Sequence, residues 1–174
     1  MNKKDFNGIS MIGRYAYILL CIEKIFTAKY PNKNFKNVFS FLWKGTEENI
    51  WNNIAEFAQD LTNEFLFASP NYKEENFMVI KKVNFKEYYD LFSDMKNISD
   101  KCFTLIYDFL TVYENTGIIG FGKESIDIVF NVIDVLKENE IPLPDLELVT
   151  FSKFTERNGW GNNFDGSKLS TLLK

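Results

Sequence analysis

Glu56, Asp60 and Glu64 recur at four-residue intervals, a spacing that lines up three carboxylates along one face of a helix. Such a row could be read as a paired-carboxylate site for acid–base work. The same spacing describes an ordinary solvated face, and that is how we read it. A second acidic set, Asp145, Glu147, Glu156 and Asp165, gathers toward the C-terminus and would be the donor set of a carboxylate- or metal-dependent enzyme. The stretch Thr116-Gly-Ile-Ile-Gly-Phe-Gly122 is rich in glycine, but no Lys-Ser/Thr follows its last glycine and no strand clearly precedes it. It reads as a helix C-cap followed by a tight turn, not as a phosphate cradle.

Histidine is absent. That removes Ser–His and Cys–His nucleophile pairs, imidazole metal sites and the usual general base near neutrality. The two cysteines, Cys21 and Cys102, sit among apolar residues with no Cys-x-x-Cys spacing, so they read as free buried thiols of a reducing compartment. No cofactor is expected.

The elements that would position these groups are helices. Apolar residues recur at helical spacing over about 10–29, ended by Tyr30-Pro31-Asn32, and over about 34–44, ended by Gly45. Thr46 is placed to cap a helix of about 47–67. Residues 77–83 could be strand or helix. Asn84-Phe-Lys-Glu87 reads as a capping box opening a helix of about 85–95. Helices of about 99–114 and 123–139 are apolar around most of their circumference, which makes them central. Each leaves one polar strip: Asp100, Thr104, Asp108 and Thr111 on the first, and Asp127, Asn131, Asp134 and Glu138 on the second. The strip of the second helix, with Asp100 and Asp108 of the first, is the candidate surface for a basic partner.

The expected architecture is all-α, a compact bundle of six to seven helices forming one domain over 1–174, with an irregular C-terminal loop and a short closing helix built on Leu169, Leu172 and Leu173. Eighteen phenylalanines among 174 residues predict a Phe-rich core. The net charge of −4 argues against nucleic acid as a partner. Its distribution is uneven, since residues 88–174 carry 8 basic against 14 acidic side chains. The apolar run Ile18–Ile22 is too short to span a bilayer, and the N-terminus has no signal-type apolar region behind its lysines. The expectation is a cytoplasmic monomer or weak dimer without a membrane partner.

One loop remains, Asn158-Gly-Trp-Gly-Asn-Asn-Phe-Asp-Gly166. Its glycines let the backbone turn while Trp160 and Phe164 pack back and shape the C-terminus. The ending Phe151–Ser170, with Gly159-Trp160-Gly161 followed by Phe164-Asp165, resembles the C-terminal signature of small bacterial immunity proteins, the antidotes to contact-dependent growth inhibition and related polymorphic toxins. Asn163 stands where a proline often precedes that phenylalanine. The resemblance covers about 20 of 174 residues. It implies a non-enzymatic protein that binds a cognate toxin C-terminal domain, a basic nuclease among the candidates, and blocks its active site or substrate entry. The alternatives are a helical adaptor without toxin neutralisation and the carboxylate or metal enzyme above.

Overall fold

The computed structural model describes residues 1–47 and 50–174. Among these the regular structure is seven α-helices and six 3-10 turns, with no strand beyond one antiparallel bridge between Ile9 and Lys153. The chain is all-α, as its periodicity predicts. Backbone contacts group it into two compact units, residues 1–50 with 112–174, and residues 51–111.

The first unit is organised on α1 (Met11–Lys29). Ser10 caps it, its Oγ accepting from Gly13 N at 3.2 Å. Fifteen of the nineteen residues of α1 are buried, which makes it a core helix on nearly every side. Sequence periodicity assigned that role to α6 and α7, whose apolar residues cover most of the circumference; α1 carries two charged residues, Arg14 and Glu23. Both are buried. The guanidinium of Arg14 donates to the carbonyls of Phe6 (2.9 Å) and Gly122 (3.2 Å) and to Ser125 Oγ (2.8 Å), and lies 5.0 Å from the Phe154 ring centre. All these partners are neutral, and burial lowers its pKa to about 10. Glu23 accepts from Trp43 Nε1 (2.7 Å), Ser170 Oγ (2.5 Å), Thr171 N (2.8 Å) and Thr171 Oγ1 (3.1 Å). These carboxylate bonds fasten residues 170–171 to α1.

Helices α2 (Lys36–Trp43) and α7 (Lys123–Glu138) complete this unit. Helix α7 packs on α1 and buries Ile126, Val129, Val132, Ile133, Val135 and Leu136, each fully buried side chain of this size contributing roughly 1.5–3 kcal/mol. Gly122 precedes α7 with φ +65°, and Gly120 has φ +57°, so the glycine-rich stretch is a turn, as its spacing predicts. The closing helix is a single 3-10 turn, Gly166–Lys168, and the three leucines lie beyond it.

The second unit holds α3 (Trp51–Asp60), α4 (Asn63–Leu66), α5 (Lys82–Phe92) and α6 (Lys96–Thr111), with α3 packed along α6. The helix expected over about 47–67 is therefore two helices, and the part of that expectation falling on residues 48 and 49 lies outside the described residues. Thr46 does not cap it: its hydroxyl donates to Trp43 O at 2.8 Å and accepts from Gly166 N at 3.0 Å. The break falls at Thr62, whose backbone is extended (ψ 161°) ahead of α4. Asp60, expected on a solvated row with Glu56 and Glu64, is buried and accepts from three successive backbone amides, Met78 (3.1 Å), Val79 (2.8 Å) and Ile80 (2.9 Å). Residues 77–81 are accordingly neither helix nor strand. Helix α5 starts at Lys82, three residues before the expected start at 85, and Asn84 Oδ1 reaches back to Lys81 N at 2.9 Å from inside the first turn.

Candidate functional site

The second unit contains an open cleft of about 330 Å³ between the α3–α4 corner and the exposed face of α6. Gln59, Thr62, Asn63, Glu64 and Phe65 form one wall, and Asp100, Thr104, Tyr107 and Asp108 the other. The corner is set by Asp100, whose Oδ1 accepts from Asn63 N at 2.6 Å and so caps α4 from across the cleft. Every charged side chain lining the cleft is acidic. Among the described residues, Glu64 and Asp108 form no hydrogen bond or ion pair that would neutralise them. Partial loss of solvent in the cleft raises the carboxyl of the exposed Asp108 above its ordinary range. The Oδ1 of Asn63 is buried without a hydrogen-bond donor. Phe65 and Tyr107, both half-buried, add aromatic surface beside the carboxylates. The arrangement suits a cation carried on an apolar stem, the chemistry of a lysine or arginine side chain.

Charge distribution favours the same unit. Residues 51–111 hold six basic and ten acidic side chains, net −4, leaving fourteen of each in the rest of the chain. The whole net charge of the protein is carried there. A split of the sequence at its midpoint hides this, because Glu56, Asp60, Glu64, Glu74, Glu75 and Glu87 fall on the other side of the division.

The α7 strip is oriented as its spacing implies, with Asn131, Asp134 and Glu138 exposed and Asp127 half-exposed. Its carboxylates are partly matched, however. Asp127 pairs with Lys3 Nζ at 2.5 Å and Asp134 with Lys137 Nζ at 3.1 Å. Exposed pairs of this kind stabilise little, but they cancel charge that a partner would otherwise meet. Of the predicted partner-facing residues, the structure brings Asp100 and Asp108 together in the cleft and leaves Asp127, Asn131, Asp134 and Glu138 on a separate face of the first unit. Sequence periodicity could not supply the other wall, Glu64 and Asn63, because it requires the helix break at Leu61-Thr62.

The C-terminal loop is a clasp on α1. Ser10 N donates to Ser152 O (3.0 Å), Phe154 N to Gly8 O (2.9 Å), Ile12 N to Trp160 O (3.1 Å) and Phe164 N to Thr46 O (2.8 Å). Asn158 (φ +55°), Gly159 (φ +94°) and Gly161 (φ +86°) take left-handed backbone angles. Gly161 lies against the Ser10 side chain with no room for a Cβ. Gly159, Gly161 and Gly166 are buried, whereas Trp160 and Phe164 are only half-buried. Glycines and backbone bonds fasten the loop, and the two rings contribute less than their size suggests; Phe164 meets the exposed Phe151 edge-on, ring centres 4.8 Å apart.

The acidic set near this loop is used locally. Asp145 Oδ1 accepts from Glu147 N at 3.0 Å, and Glu156 Oε2 from Lys153 N at 3.2 Å. Thr150 Oγ1 donates to Glu147 Oε2 at 3.4 Å. Asp165, whose carboxyl is lowered by the bond from Ser167 and the neighbouring Lys168, pairs with both. Among the described residues no three Cys, Asp or Glu side chains gather as a metal would require. No described helix is long and apolar enough to cross a membrane. Comparison of the chain with protein-family models, curated proteins and solved structures returns no match.

Proposed function

We propose that this protein is a toxin-neutralising immunity protein, acting without catalysis by presenting the α3–α4/α6 cleft to a basic surface of a toxin domain. The observation that carries the reading is the unneutralised cleft: three carboxylates, no lining cation, and aromatic surface beside them. A nuclease channel built to hold phosphates would find in Glu64, Asp100 and Asp108 a competing set of anions. Charge complementarity of this sort raises association rates by roughly 10- to 1,000-fold. The Gly159-Trp160-Gly161…Phe164-Asp165 ending supports the family assignment, and its role in this chain is to close the fold.

The test is co-expression with the product of the adjacent reading frame. Wild-type protein is expected to restore growth and to co-purify with that product. The double reversal Glu64→Lys/Asp108→Lys should abolish both, with an unchanged melting temperature. Asp127→Lys/Asp134→Lys should weaken binding far less, because those carboxylates are already paired. Failure of the wild type to restore growth would refute neutralisation. Rescue that survives the cleft reversal would refute the cleft as the binding surface. Binding without rescue would favour the adaptor reading.

A further inference from the structure

Asp60 is the only buried carboxylate of the second unit among the described residues, and it faces backbone amides rather than a cation. Its Oδ2 takes two of the three amides and its Oδ1 the third, so consecutive N–H groups of residues 78–80 converge on one side chain. The segment they belong to, 67–81, contains only a 3-10 turn at Glu74–Asn76. Most of its side chains are exposed or half-exposed until Ile80, which is fully buried. Between its ends the segment folds on itself: Tyr72 and Phe77 stack with ring centres 5.5 Å apart and planes 8° from parallel, and both rings meet Phe85 of α5. The ends of the segment are tied by Phe67 N to Asn63 O, by Phe67 against Tyr89 and Lys96, and by Lys81 N to Asn84, so among the described residues its polar attachment to α3 is Asp60.

We infer that residues 67–81 form a strap, latched by Asp60, that opens independently of the α3–α6 pair, and that the latch also sets the wall of the cleft. The second part follows from the covalent structure. Asp60 ends α3, and the next residues, Leu61 to Phe65, are the corner that carries Thr62, Asn63 and Glu64 into the cleft. Apart from the buried Leu61 side chain, that corner is held by short-range bonds, Leu61 N to Phe57 O and Ala58 O, Thr62 N and Oγ1 to Gln59 O, and Phe65 N to Thr62 O, and by one bond across the cleft, Asn63 N to Asp100. When the three amides leave Asp60, a carboxylate without partners at the end of α3 turns toward water and takes the corner with it. The strap inference stands without the functional reading; its bearing on partner binding rests on that reading.

Hydrogen exchange resolved by peptide tests both parts on the full chain. In the wild type at low urea, amides of 78–80 should exchange through an opening much less sensitive to urea than that of α6 amides. In Asp60→Asn, which offers one acceptor oxygen and brings an N–H₂ against amides, exchange over 77–81 and over 61–66 should rise on the order of tenfold or more, while 96–111 keeps its protection. A common urea dependence for the strap and α6 in the wild type overturns the strap, and this measurement needs no variant to fold. Unchanged exchange at 77–81 in the variant overturns the latch, and unchanged exchange at 61–66 overturns its connection to the cleft. Growth rescue is not part of the readout, so these failures are distinguishable from a failure of the functional proposal.

Discussion

Glu23→Ala removes the acceptor for four donors at the centre of the first unit. Two of them, Trp43 Nε1 and Ser170 Oγ, belong to residues at 1 % and 0 % exposure, and neither can turn to water. A buried donor left unsatisfied costs roughly 1–3 kcal/mol, so this pair costs about 2–6 kcal/mol. Thr171 is exposed, and its amide and hydroxyl find water cheaply. Set against the loss is relief from burying a carboxylate that has no cation beside it among the described residues, an effect that can reach several kcal/mol. The two are separated by Glu23→Leu, which keeps side-chain volume and orphans the same donors, and by Glu23→Gln, which keeps one acceptor oxygen. The expected order of stability is wild type, then Gln, then Leu, then Ala, with the Ala variant lower by at least about 2 kcal/mol. Urea unfolding followed by tryptophan fluorescence measures this directly. With a slope of about 2 kcal/mol/M, the midpoint should fall by about 1 M or more. A Leu variant as stable as the wild type would show that carboxylate desolvation outweighs the hydrogen bonds and would refute a net stabilising role for the bonds that fasten residues 170–171 to α1.

Two further outcomes are expected. Gly161→Ala combines a left-handed φ of +86° with a methyl group forced onto Ser10, and should cost roughly 2–4 kcal/mol in the same assay, while Gly117→Ala, in open space, should be near neutral. Alkaline pH should destabilise the fold from about pH 9. Burial pushes the Cys102 thiol up to about 12 from 9.0 and raises the phenols of Tyr15 and Tyr17, so the folded chain keeps protons that the unfolded chain releases. Stability therefore falls as pH rises, by about 1.4 kcal/mol from Cys102 alone at pH 10. Arg14, lowered to about 10, acts in the opposite direction only above that pH. Urea midpoints at pH 8, 9 and 10 check the sign; a midpoint that rises over this range would contradict it.

The helical class, the span of α1 and that of α7 were legible because apolar periodicity and breakers agree there: Tyr30-Pro31-Asn32 ends one helix, and the glycine-rich turn through Gly122 precedes the other. Burial was legible only where side chains are apolar. Asp60, Arg14 and Glu23 defeat a polarity-based reading for one reason: each is a charged group whose partners are backbone groups or neutral side chains distant in sequence, up to 148 positions in the case of Thr171. The acidic cleft was half legible. The spacing of Asp100 and Asp108 put them on one strip of α6, but their facing wall depends on the helix break at Thr62, where the backbone is extended. The C-terminal loop was recognised through its glycines, and those glycines, more than its rings, are what the fold requires.

The bond between Glu23 and Ser170 joins positions 147 apart. On a ribosome adding roughly 5–20 residues per second, α1 is complete roughly 7–30 s before Ser170 exists. For that interval fifteen residues destined for the core have no finished interior to enter. Residues 51–111, whose contacts close within 61 positions, are synthesised entirely inside the wait. The order of synthesis therefore sets a timetable in which the cleft-bearing unit can be assembled first and the helix made earliest is among the last to be enclosed. Apparent yield in the cell should depend on how α1 is sheltered meanwhile, a property no equilibrium measurement on the finished protein reports.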